Sequence, residues 1–289
     1  MTMQNTISRY FSLIKFSHTV FALPFAIIGY LLGLKLDNTL FKWEEFAIVI
    51  LCMVFARSAA MGFNRYVDRS IDKANPRTAM REIPSGVIAP KNALVFIVVN
   101  CILFIGLTWF LNPLCFFLSP IALLVILGYS YTKRFTALSH VVLGIGLALA
   151  PIGAYLAVTG SFAWLPMFFS LAVLFWVSGF DIIYALQDEG FDRSKQLRSI
   201  PVLMGMKNAL HLSSFFHIIT TLCLITAGLW GEFGMLYWAG CILFSGLLVY
   251  QHAIVKPNDL SRVNMAFFTA NGIGSIILAG FVVLDLFIT

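Results

Sequence analysis

Runs of roughly 18–25 apolar residues recur along most of this chain, each long enough to cross the hydrocarbon core of a bilayer as a helix. They predict nine membrane-spanning helices, over about 17–34, 44–66, 92–111, 114–131, 139–159, 162–186, 208–230, 234–255 and 263–288. The longest polar stretches, 65–91 and 187–207, have the size of loops. Residues 1–289 therefore read as a single all-α, polytopic membrane domain. Composition agrees: 60% of residues are hydrophobic and 11% charged, against roughly a half and a quarter in soluble domains. The first run, 19–34, has no polar cleavage region after it and reads as a first transmembrane helix rather than a removable signal. The leading residues lack the character of an organellar presequence, which points to a bacterial cell inner membrane.

Charge sets the expected orientation. Sixteen of the 19 Lys and Arg residues fall on the N-terminal segment and the even-numbered connections, two (Lys35 and Lys42) fall on the other side, and Arg57 lies within a span. Positive residues mark the cytoplasmic side, so the N-terminus and both long loops are expected there, with the C-terminus opposite. The net charge of +6 follows from this bias and implies no nucleic acid; basic groups beside a membrane meet anionic lipid or a phosphorylated substrate. The five cysteines all sit in apolar runs without a CxxC pair and read as small buried side chains.

Two acidic clusters depart from the apolar pattern. Asn64, Asp68 and Asp72 are four apart at the end of the second span; Asp181, Tyr184, Asp188 and Asp192 follow spacings of three, four and four at the end of the sixth. Such spacings place side chains on one helix face. A carboxylate near a helix centre in a bilayer costs roughly 2.5–3.5 kcal/mol, and at a helix C-terminus it meets the wrong end of the dipole. A hard divalent cation relieves both penalties, and magnesium commonly bridges a few carboxylates to substrate phosphate. Two such stacks facing one cavity would hold a diphosphate. Basic residues follow each stack, Arg77 and Arg81 after the first and Lys195 and Arg198 after the second, and are candidates for phosphate contact. Arg81-Glu82-Ile83-Pro84 echoes Arg198-Ser199-Ile200-Pro201, and Asp68 and Asp188 lie 120 residues apart, as expected of two halves of one site.

Arg57, two turns deeper than Asn64, either pairs internally with Asp181 or a backbone carbonyl, or meets a substrate anion. Lys133 and Arg134, after Tyr129-Ser130-Tyr131-Thr132, are either membrane-edge anchors or anion ligands. His140 and His252 stand alone, and His211 and His217 have no carboxylate at ligand spacing, so all four read as structural or interfacial. His18, beside Lys15 and Thr19, is kept as a site candidate. The pairs Gly29/Gly33 and Gly274/Gly280 suggest close helix packing.

These residues resemble the UbiA superfamily of intramembrane prenyltransferases across nearly the whole chain. The most specific part is Asn64-Arg65-Tyr66-Val67-Asp68-Arg69-Ser70-Ile71-Asp72, continuing through Asn75-Pro76-Arg77 to Ser85-Gly86, which resembles the family's first Asp-rich motif. Asp181 to Asp192 resembles the second, and Tyr129 to Arg134 the Tyr-x-x-x-Lys-Arg element. Many members begin the first motif Asn-Asp, where this chain has Asn64-Arg65, one carboxylate fewer. The resemblance implies nine helices around a central cavity open sideways to lipid. It implies Mg2+ and diphosphate on Asn64, Asp68, Asp72, Asp188 and Asp192, with Asp181, Tyr184, Lys133 and Arg134 at the reacting end. Lys15 to Thr19 followed by Phe21-Ala22-Leu23-Pro24-Phe25-Ala26 resembles the 4-hydroxybenzoate polyprenyltransferase branch.

What the resemblance implies is transfer of a polyprenyl group from polyprenyl diphosphate to a small aromatic acid. The acid is 4-hydroxybenzoate (ubiquinone biosynthesis) or alternatively a dihydroxynaphthoate (menaquinone biosynthesis), and no protein partner is required. Lys133 would then face the diphosphate and Arg134 the acceptor carboxylate. A transporter would place its acidic residues near the bilayer midplane, often in broken helices, whereas here they gather at helix ends. A CDP-alcohol phosphatidyltransferase would need an Asp-Gly-x-x-Ala-Arg opening, which is absent.

Overall fold

The computed structural model describes residues 3–14 and 21–288. The chain is a polytopic all-α membrane protein. Eight of its helices are long and apolar enough to span a bilayer: α3 (Trp43–Val67), α5 (Pro90–Thr108), α6 (Pro113–Thr132), α7 (Ser139–Thr159), α8 (Trp164–Ala185), α10 (Ile200–Trp230), α11 (Met235–Ile254) and α12 (Asn271–Ile288). Short helices α1 (Met3–Leu13), α4 (Arg69–Ala74) and α9 (Glu189–Ser194) lie between or before them. The first expected span is described as α2 (Leu23–Leu36), 14 residues long. It rises roughly 21 Å, short of the roughly 30 Å hydrocarbon core. The count among the described residues is thus eight full-length spans and one shorter apolar helix, against the nine expected.

Helix α2 compensates for its length by burial. Phe25, Ala26, Ile28, Tyr30 and Leu32 are 0–1% exposed. Gly29 lets it approach α7 closely: a Cβ there would lie 2.0 Å from the Pro151 carbonyl oxygen, and one at Gly33 would lie 2.8 Å from Val158 Cβ. The expected packing role therefore holds for Gly29 and Gly33. It holds for Gly274, whose Cβ would meet Phe244 at 3.2 Å, but not for Gly280, which faces open space.

The centre of the bundle is α8, where Phe169, Val173, Trp176 and Val177 are fully buried. The Trp176 indole N–H and the Gln251 amide both donate to Asn271 Oδ1, at 2.9 and 2.7 Å, tying α8 to α11 and α12 and pairing these buried donors, which have no water to turn to in a bilayer. Asp285 is a buried carboxylate at the other end of the chain. It accepts the backbone N–H groups of Gly234 (2.8 Å) and Tyr237 (3.1 Å). Those are unpaired donors at the start of α11, where the helix dipole favours negative charge. Large apolar side chains such as Phe117, Leu124, Ile242 and Val249 are about 70% exposed, as befits a lipid-facing surface. The cysteines are free, with Cys52, Cys115 and Cys241 buried.

The two stretches expected as plain loops contain helical turns. α3 ends at Val67, Asp68 caps it with φ −86° and ψ 3°, and α4 starts at Arg69. α8 ends at Ala185 and passes through a 3₁₀ turn, Leu186–Asp188, into α9. α10 begins at Ile200, eight residues before its expected start, because Ser199 caps Val202 N–H, Pro201 sits in the first turn, and Gly205 at φ 76° absorbs a kink. A π-helical turn, Met265–Ala270, precedes α12.

Gly29→Leu should force α2 off α7, an overpacking cost of roughly 1–3 kcal/mol, while Gly280→Leu leaves stability unchanged. Thermal unfolding of the two purified variants in detergent checks this; equal melting temperatures would count against the α2–α7 contact.

Candidate active site

At one end of the bundle a polar cavity of about 310 Å³ is lined by the ends of α3, α6 and α8, the start of α7, and the segments carrying both acidic clusters. Asn64, Asp68, Asp72, Arg77, Arg81, Tyr129, Lys133, Asp181, Tyr184, Asp188, Asp192 and Arg57 all line it. The segment that follows the first cluster is bound directly to the second. Asn75 Nδ2 donates to Asp188 Oδ1 at 3.2 Å. The Arg77 guanidinium forms a two-pronged pair with Asp188, its Nε 2.9 Å from Oδ1 and its Nη2 on Oδ2. Arg77 Nη1 also donates to the Tyr184 hydroxyl at 3.0 Å. Burial opposes the Arg77 charge, but its bonds to Asp188 and Tyr184 outweigh burial and raise its pKa.

Neither acidic stack stays on one continuous helix, which corrects the expected geometry. Asp68 is the hinge between α3 and α4, although Asp72 N–H still donates to Asp68 O at 2.7 Å. Asp181 and Tyr184 share α8, Asp188 closes the 3₁₀ turn, and Asp192 is on α9. The breaks take the like charges off one continuous helix, and a basic partner answers each of three carboxylates. Lys133 Nζ lies 2.5 Å from Asp68 Oδ2, and Arg81 Nη1 lies 2.7 Å from Asp72 Oδ1. Asn64 Nδ2 adds a bond to Asp68 Oδ2 at 3.3 Å. Asp68 is 2% exposed; burial raises its pKa, with Lys133 and Arg134 opposing.

Other expected residues lie elsewhere. Arg134 is not on the cavity wall; it donates to Val67 O (3.0 Å) and reaches Asp68 Oδ1 (3.4 Å), holding Asp68 from behind. Arg198 is turned away too. Its N–H donates to Lys133 O at 2.8 Å and its side chain to Phe135 O at 2.7 Å, so it steadies the turn that carries Lys133. Lys195 is exposed at the end of α9 and does not reach the cavity. His18 lies outside the described residues. Of the two readings of Arg57, internal pairing is not seen at Nε, which is buried without a hydrogen-bond partner; the same holds for Arg65 Nε, also on the wall.

Sequence reasoning missed several wall residues. His140, expected to stand alone, has Nδ1 2.7 Å from Asp181 Oδ2. His252 is likewise paired, its Nε2 2.9 Å from His217 Nδ1. Arg65, Asn75, Ser139 and Phe267 complete the polar chamber. No spacing in the chain links His140 to Asp181. Phe267 reaches the site because the π-helical turn presents it to Tyr184, with ring centroids 4.2 Å apart; such turns recur at functional sites.

A second, apolar cavity of about 380 Å³ lies between α3, α5, α6 and α7. The two cavities share Arg57, Met61, Tyr129, Leu143 and Leu147. From Tyr129 the apolar wall follows α6 back to Cys115, a rise of roughly 21 Å. Ile121 and Phe162, 56% and 59% exposed, bring it to the lipid-facing surface.

The donor set fits a magnesium ion shared with a phosphorylated ligand. Asp72 Oδ2 is buried with no hydrogen-bond partner, an acceptor that a cation would satisfy. Among the described residues no three acidic, His or Cys side chains converge as a self-sufficient metal cluster. That is the expected state for magnesium, which takes one or two carboxylates and completes its shell with phosphate and water.

Comparison with known proteins gives a consistent picture. A family model described as the UbiA prenyltransferase family matches residues 22–273. A protein named 4-hydroxybenzoate octaprenyltransferase from Nitrosomonas europaea is 32% identical over 242 residues, covering 84% of this chain and 82% of the relative. One of the same name from Tolumonas auensis is 31% identical, covering 78% of each. Among solved structures, an apo UbiA homolog from Aeropyrum pernix K1 superposes with a TM-score of 0.84 at 30% identity, covering 93% of this chain and 98% of that one. A UbiA homolog from Archaeoglobus fulgidus bound to DMAPP and Mg2+ has a TM-score of 0.73 at 19% identity, covering 97% and 100%.

The Asn75–Arg77–Asp188 bridge should restrain the connection after α4. Hydrogen bonds to charged groups contribute about 1.5–3 kcal/mol, so Arg77→Ala should speed amide exchange over residues 75–89 by roughly tenfold or more. Exchange in α11 should not change. Hydrogen-exchange mass spectrometry reads both; unchanged exchange over 75–89 would show that the bridge does not hold the segment.

Proposed function

Since the chain belongs to the UbiA prenyltransferase family, we propose that it transfers a polyprenyl group from polyprenyl diphosphate to 4-hydroxybenzoate, with magnesium, in ubiquinone biosynthesis. The observation that carries this reading is the junction of the two cavities: a chamber of paired carboxylates and cations opens at Arg57, Met61 and Tyr129 into an apolar channel that reaches the lipid-facing surface. A diphosphate suits the first space and an isoprenoid tail the second. The names of the relatives supply the acceptor. The charge bias of the connections supports a chamber at the cytoplasmic face of a bacterial inner membrane.

In this reading the cation's protein ligands would be drawn from Asp68, Asp72, Asp188 and Asp192, with Asn64, and phosphate and water would complete its shell. Bound magnesium supplies positive charge to the diphosphate as its bond to the prenyl carbon breaks. Arg77, Arg81 and Lys133, each paired with a carboxylate of the site, would donate to phosphate oxygens and help neutralise the leaving group. Tyr129, Tyr184 and Phe267 line the cavity, and aromatic walls favour an allylic cation and exclude water. The acceptor carboxylate falls to Arg57 rather than Arg134, because Arg57 lines the junction with an unpartnered Nε while Arg134 is occupied behind Asp68.

The test is an assay of the purified enzyme with one prenyl diphosphate against 4-hydroxybenzoate and dihydroxynaphthoates. The expected result is transfer to 4-hydroxybenzoate that stops with EDTA and returns with magnesium; preference for a naphthoate would change the acceptor, and no transfer would end the reading. Asp68→Asn and Asp188→Asn should each lower kcat by roughly 10²–10³-fold, and near-normal turnover in either would remove that residue from the cation site. Arg57→Ala should raise the acceptor KM by roughly tenfold while leaving the donor KM alone, since a charge-assisted bond to the carboxylate is lost. An equal rise in both would return Arg57 to the diphosphate.

A further inference from the structure

We infer that His140 is a positioning residue for the transfer step: it holds Asp181 so that one carboxylate oxygen faces the acceptor, and it does this through Nδ1. The inference rests on the function proposed above. His140 is 4% exposed, in the first turn of α7. Its Nε2 lies 3.4 Å from Ile200 N, at the start of α10. A backbone N–H can only donate, so Nε2 is the acceptor and the ring hydrogen sits on Nδ1. Nδ1–H therefore donates to Asp181 Oδ2 at 2.7 Å. Asp181 Oδ1 lies outside that pair, and the side chain, 23% exposed, is on the cavity wall.

The arrangement limits what Asp181 can do. With Oδ2 held by Nδ1–H, rotation of the carboxylate is restrained, and Oδ1, outside that pair, is left to the acceptor's hydroxyl. The bond between the prenyl carbon and diphosphate breaks with its electron pair on the diphosphate. The ring carbon beside the hydroxyl bonds to the prenyl carbon, and the hydroxyl proton passes to Asp181 Oδ1. The hydrogen on the substituted ring carbon then moves to the oxygen and restores the aromatic ring, so one proton is released in all. A group preorganised for one geometry contributes through orientation, and a small misplacement costs roughly 10²-fold in rate.

His140 could instead serve only as the cap on Ile200 N–H, and two substitutions separate the roles. Asparagine carries its amide nitrogen at the remove of Nδ1 and can donate to Asp181. Glutamine reaches the Nε2 position and can accept from Ile200. Two rates would be measured for wild type, His140→Ala, His140→Asn and His140→Gln: magnesium-dependent diphosphate release from the prenyl donor alone, and prenyl transfer to 4-hydroxybenzoate. The inference expects His140→Ala and His140→Gln to lose transfer roughly 10²-fold while donor-only release stays within about threefold, and His140→Asn to recover most of the transfer. Rescue by Gln but not Asn, parallel loss of both rates in all three variants, or unchanged transfer in His140→Ala would each overturn it. A wild-type enzyme with neither activity would end the proposed function, and this inference with it.

Discussion

The site depends on compensating buried carboxylates at one end of a membrane bundle. Asp68 and Asp72 are 2% and 4% exposed, and such groups are stable only when paired or bound to a cation. The fold answers in two ways. It breaks both acidic stretches, at Asp68 and at Leu186, so that neither runs as one unbroken helix. It also brings Lys133 from α6, and Arg77 and Arg81 from the connection after α4, onto the acidic groups. The bridge from Asn75 and Arg77 to Asp188 then makes two distant halves of the chain into one chamber. A removed partner would leave an uncompensated charge, so the contacts that shape the chamber also serve stability.

The chamber draws its meaning from the apolar cavity beside it. A soluble phosphate enzyme would have no use for a wall of Met53, Ala56, Val125 and Gly153 running from Tyr129 toward Phe162. A substrate with a charged head and a long hydrocarbon tail needs both spaces joined. The shared residues include one cation, Arg57, and one phenol, Tyr129, so polar recognition reaches to the edge of the tail channel.

Much of this was legible in the chain. Apolar run length gave the spans, because the bilayer sets helix length directly. Carboxylates in apolar surroundings marked the site, because each is costly unless it has a partner. The limits are equally physical. Period-four spacing assumes unbroken helices and could not foresee the hinge at Asp68 or the early start of α10, which local capping and Gly205 decide. Positive charge marked the general region, but which cation faces the cavity depends on backbone direction: Arg134 and Arg198 turn to carbonyls, while Arg65 and Arg57 face inward. The His140–Asp181 contact joins residues 41 apart across two helices, and no local pattern carries it.

The proposed reaction requires the two acidic clusters to form one site. Calorimetry of magnesium-dependent binding of a non-reactive prenyl thiolodiphosphate to wild type, Asp68→Asn, Asp188→Asn and the double variant tests it most directly. One shared site predicts that the double variant binds no more weakly than the weaker single variant, a strong departure from additivity. Losses that simply add, or a single variant that binds as the wild type does, would contradict it.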